Sequence, residues 1–79
     1  MQGKTKLSDL HVSQSGVVES LNVSGSLRRR LRDIGLIGGT RVECVLVSPS
    51  KDPKAYNIRG AVIALRNEDA ENILLRDVE

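Results

Sequence analysis

The chain has 79 residues, 39% hydrophobic and 28% charged, which suits one small domain and excludes pervasive disorder. Twelve Lys and Arg against ten Asp and Glu leave a net charge of +2, too little for a general binder of nucleic acids or anionic membranes. Tyr56 is the only Phe, Tyr or Trp. The core must therefore be aliphatic, and neither an aromatic groove for proline-rich peptides nor a base-stacking platform can be built.

Met1 to Lys6 is a polar lead-in, expected to fray. No signal-peptide apolar region follows, and no apolar run approaches the roughly 20 residues of a membrane span. Cys44 is the only cysteine, which excludes an intramolecular disulfide and fits a reducing, cytoplasmic setting. Leu7 and Leu10, spaced i, i+3, predict a short helical turn. Gly16 opens a strand over Val17 to Val23, with Val17, Leu21 and Val23 on one face and Val18 on the other. Glu19 interrupts the alternation.

Ser24-Gly25-Ser26 is a turn and helix N-cap signal. Leu27, Leu31 and Ile34 recur at i, i+4 and i+7, which predicts a helix from Leu27 to Ile34 with one apolar stripe. Gly35 is its stop, where a left-handed conformation is cheap. Gly38-Gly39-Thr40 is a turn. Arg41 to Val47 reads as a strand with Val42, Cys44 and Leu46 on one face. Ser48 to Lys54 is a polar loop with both prolines of the chain. Ala55 to Arg59 and Ala61 to Leu65 form a hairpin about Gly60. Asn67 caps a helical turn through Glu71, and Ile73 to Val78 closes the chain as a strand. About five short strands and one packing helix predict a mainly β fold, a small partly open barrel formed by residues 1–79 with its core over 7–78. Leu27, Leu31 and Ile34 are expected to pack beside Val42, Cys44, Ile58 and Ile63.

Few residues suggest chemistry. His11 is the only histidine, and no HxxH, HxxE or CxxC spacing gathers metal ligands around it. Cys44 falls on the apolar face of its strand and reads as a buried thiol. The glycines from Gly35 to Gly39 follow a helix and lack a phosphate-loop ending. No carboxylate pair suits acid–base work. The expectation is a protein that is not an enzyme, with no metal site and no firmly implied cofactor. Arg28, Arg29, Arg30 and Arg32, four of the eight arginines, stand out. They sit between the stripe positions and must face solvent, either as a solvated helix face or as a docking strip for an acidic protein. Asp33 is placed to pair with Arg29 at i, i+4.

The run Leu27-Arg28-Arg29-Arg30-Leu31-Arg32-Asp33-Ile34-Gly35-Leu36, then Gly39-Thr40-Arg41-Val42-Glu43-Cys44, resembles the FeoA family of ferrous iron transport proteins. Pro49, Asp52-Pro53, Ile58-Arg59 and Ala64-Leu65-Arg66 are similar to that family's second block. Gly38 and Lys51 depart from its usual Pro and Gly. The resemblance implies an SH3-like barrel and a cytoplasmic accessory role for FeoB, a membrane ferrous iron transporter with a GTPase domain, so membrane contact is only indirect. The alternative it leaves open is a transition-metal-binding or metal-sensing module that itself carries ferrous iron weakly. A third reading is a regulator of GTP hydrolysis that supplies an arginine in trans. The domain is also similar to the C-terminal module of DtxR-type repressors, but one clear helix offers no helix-turn-helix for nucleic acid.

Overall fold

The computed structural model describes residues 5–79; Met1 to Lys4 of the polar lead-in lie outside the described residues. The elements in chain order are β1 (Thr5–Lys6), a 3-10 turn (Leu7–Asp9), β2 (Ser15–Leu21), α1 (Gly25–Asp33), β3 (Arg41–Val47), β4 (Lys54–Ile58), β5 (Ala61–Leu65), α2 (Asn67–Ala70) and β6 (Ile73–Arg76). Six strands make one sheet in the order β1-β6-β2-β3-β4-β5, every pair antiparallel. The expected five strands become six because Thr5 and Lys6 pair with Leu75 and Leu74. A two-residue strand has no periodicity to read. β1 and β5 are the edges, so the sheet is open.

The sheet curls around a core that draws on nearly every element: Leu7, Leu10, Val18, Leu31, Leu36, Val42, Cys44, Tyr56, Ile58, Leu65, Ala70, Ile73 and Leu75 are all buried. Leu7 and Leu10 enter it from the expected helical turn. The α1 stripe faces the core as expected, with Leu31 fully buried and Leu27 and Ile34 partly buried against the core cluster, as is Ile63. Tyr56 is in the middle rather than at the rim. Its hydroxyl donates to the Leu7 carbonyl at 3.4 Å, which satisfies the one polar atom this ring brings inside.

Two bulges bend the sheet and overturn two expected face assignments. The β2–β6 register slips between Val18 and Ser20, leaving Glu19 as the extra residue. Val18 is therefore a core residue, and the phase flips so that Leu21, three positions on, also meets the core. The β3–β4 register slips between Cys44 and Leu46. Leu46 is turned out to solvent, 63% exposed, while Val47 turns in. One extra residue suffices, because side-chain direction in a strand has a period of two.

The β4–β5 hairpin closes through Arg59 and Gly60, with φ of 53° and 89°. Positive φ at both central residues is the turn whose twist matches the strands. At α2, Asn67 is the first helical residue and not the cap. Its backbone N–H donates to Asp52 Oδ1 at 2.9 Å, and its side-chain amide donates to the Lys51 carbonyl at 2.9 Å. A carboxylate fifteen residues upstream thus does the capping and pins the polar loop to the domain.

Candidate docking surface

α1 begins at Gly25, with Ser24 in the N-cap conformation but its side chain making no cap hydrogen bond. Its far end is a Schellman motif. Leu36 N–H donates to the Leu31 carbonyl at 2.9 Å and Gly35 N–H to the Arg32 carbonyl at 3.0 Å, with Gly35 at φ +93°. Leu31 and Leu36, which flank the reversal, are both buried. This anchor fixes the rotation of the helix, so the residues between the stripe positions must point away from the core.

Arg28, Arg29, Arg30 and Arg32 are accordingly all exposed. The structure sorts them. Arg28 folds back, its Nη1 donating to the carbonyls of Leu21 at 3.3 Å and Val23 at 3.4 Å. Arg30 and Arg32 occupy the last helical turn, where cations are favoured by the helix dipole. The expected Arg29–Asp33 pair is not formed. An exposed ion pair instead joins Arg41 and Glu79 at 2.9 Å.

Arg28 and Arg32 flank a notch of about 110 Å³ whose other walls are Leu21, Leu36, Ile37 and Gly38. The turn from Gly35 to Thr40 shapes it. Buried Thr40 donates its hydroxyl to the Gly35 carbonyl at 2.9 Å and accepts from Ile37 N–H at 3.1 Å. Ile37 is held outward, 52% exposed. The surface is thus a row of guanidinium groups beside an apolar dimple. The arginines were legible in the sequence. The dimple was not, since three separate segments supply it; an isolated Ile beside two glycines is its only local sign.

His11 and Cys44 are not brought together as a site. His11 is exposed in the loop before β2, and Cys44 is buried in the core opposite Tyr56. Burial raises the Cys44 thiol above its ordinary value, with Lys54 only partly opposing the shift. That disfavours the thiolate a metal needs. Among the described residues, no group of three or more His, Cys, Asp and Glu side chains could hold a metal ion.

A family model for the FeoA domain matches residues 5–77. The chain belongs to the FeoA family. Over 68 residues it is 32% identical to the Fe(2+) transport protein A/Fe(2+) transporter FeoB fusion protein of Porphyromonas gingivalis, covering 86% of this chain but only 8% of the length of that relative. FeoA of Chlorobium tepidum superposes with a TM-score of 0.83 at 32% identity, covering 90% of this chain and 69% of that one. FeoA of Stenotrophomonas maltophilia, a procaryotic SH3 domain protein solved with zinc, gives 0.82 at 28% identity over 95% of both chains. The expected SH3-like fold is thereby confirmed. A manganese-dependent transcriptional repressor shares this fold at 16% identity, with a TM-score of 0.78. The Porphyromonas gingivalis relative is a ferrous iron transport protein, and this chain spans only a small part of it.

Proposed function

We propose that this FeoA-family protein is a non-enzymatic accessory module of ferrous iron uptake. It works in the cytoplasm by docking Arg28, Arg29, Arg30 and Arg32 on an acidic surface of an FeoB-type transporter or its GTPase domain. The observation that carries this reading is the outer face of α1, with its four exposed arginines. Neighbouring like charges at helical spacing repel by a few tenths of a kcal/mol. An opposing acidic surface removes that cost and steers association. Arginine is the suited cation, since its planar fork binds carboxylates in pairs. Arg28, pre-set by the Leu21 and Val23 carbonyls, loses less freedom on docking. The fusion in the Porphyromonas gingivalis relative supports the choice of partner, because joining two modules in one chain raises their effective concentration.

The test is binding of the purified protein to the cytoplasmic domain of the FeoB transporter from the same organism. Arg28→Glu with Arg32→Glu should leave the melting curve within a few degrees of wild type and weaken binding by roughly tenfold or more. A folded double variant that binds as wild type does would reduce the arginine row to a solvated helix face.

A further inference from the structure

Among the described residues the sheet ends in two unlike edges. β1 is two residues long there. β5, Ala61-Val62-Ile63-Ala64-Leu65, is five residues long and carries no charge, no proline and no bulge. These are the devices by which an edge is normally closed to further pairing. In a two-residue hairpin the residues flanking the turn form a hydrogen-bonded pair, here Ile58 with Ala61. Pairing then alternates, so Ala61, Ile63 and Leu65 bond to β4 while Val62 and Ala64 aim their N–H and C=O groups off the sheet. Ile63 and Leu65 turn inward, and Val62 stays 62% exposed with Ala64 beside it. The apolar surface continues across the strands, since Ala64 lies next to Ala55 and Ala55 next to the outward Leu46. Exposed Arg66 stands at the far end of the strand, while Arg59, at the turn, lays its side chain across Gly35.

We propose that β5 receives an extended segment of a partner protein as a seventh strand. That segment is apolar at alternate positions and carries Asp or Glu at the flank that meets Arg66. The backbone of Val62 and Ala64 gives affinity, and Arg66 selects for the acidic flank. The charges also argue against a second copy of this chain as the occupant. An antiparallel self-pair centred on Ile63 sets Arg66 opposite Gly60, with no carboxylate to meet it, and does so twice by symmetry.

The experiment uses a blocked peptide, Asp-Glu-Val-Thr-Val-Thr-Val-Glu-Asp, titrated into the ¹⁵N-labelled protein. The expected result is slowed hydrogen exchange at the Val62 and Ala64 amides, with binding weakened roughly tenfold when lysines replace the peptide's acids. Ala64→Pro removes an outward N–H without touching the β4 ladder and should abolish the protection. Val62→Lys, a milder block that leaves the backbone alone, should weaken binding if the proline variant does not fold. Arg28→Glu with Arg32→Glu should bind the peptide as wild type does, which separates this edge from the α1 surface. Unchanged exchange at Val62 and Ala64, or equal binding of the lysine-flanked peptide, would overturn the proposal. So would a concentration-dependent dimer in sedimentation that Val62→Lys dissolves, since the occupant would then be a second copy.

Discussion

At the scale of single residues, the core holds two weak acids face to face, and this fixes how stability responds to alkali. Cys44 and Tyr56 are register partners on β3 and β4 and both are buried. Loss of water raises the thiol above its ordinary 9.0 and the phenol above its ordinary 10.0. A raised folded-state value means that the native protein keeps its proton where the unfolded chain has lost it. The stabilisation is complete below the unfolded value and fades as pH climbs toward the folded one. Urea midpoints should therefore fall steadily between about pH 8 and about pH 11. The slope should flatten when Cys44→Ala and Tyr56→Phe remove the titrating groups. A wild-type profile flat across that range would mean the two groups are wetter than their burial indicates.

At the scale of elements, α1 is held by its buried stripe and its C-terminal stop. Leu31→Ala removes the one fully buried stripe residue and should cost about 2 to 5 kcal/mol. Gly35→Ala should cost about 1 to 2 kcal/mol through its left-handed φ alone. The added Cβ would lie 2.5 Å from Arg59 Cδ, but that atom belongs to a flexible, exposed side chain that moves aside, so the backbone conformation sets the cost. Both values are read as shifts in denaturation midpoint, and a Gly35→Ala midpoint equal to wild type would put the helix stop elsewhere. The stripe and the stop of this element were legible in the sequence, but its start was not, since Gly25 and Ser26, read as part of a turn, already lie in the helix. Apart from β1, the strands were legible to within about two residues, with β2 running Ser15–Leu21 in place of Val17 to Val23, but not in phase. Val45-Leu46-Val47 is a continuous apolar run, so nothing local marks Val45 as the extra residue that sends Leu46 outward. Glu19 did interrupt its strand, and that interruption is the bulge itself. The cap that Asp52 supplies to α2 spans fifteen residues and has no signature at either end.

At the scale of the whole molecule, salt should act in opposite directions on folding and on docking. The net charge of +2 hides its arrangement: guanidinium groups crowd α1, while an exposed ion pair joins Arg41 and Glu79. Such a surface pair contributes only about 0 to 1 kcal/mol, so screening it sacrifices little. Screening the mutual repulsion of Arg28, Arg29, Arg30 and Arg32 gains a comparable amount. Fold stability should therefore be flat or rise slightly as sodium chloride goes from about 0.05 to about 0.5 M, a range in which the Debye length shrinks well below the size of the molecule. Docking on an acidic surface loses attraction over the same range and should weaken markedly, mainly through slower association. The two measurements, urea midpoint and partner affinity, need only the same buffers. Partner affinity that held constant while the fold did too would show that apolar contacts around Ile37, and not the arginines, drive the encounter.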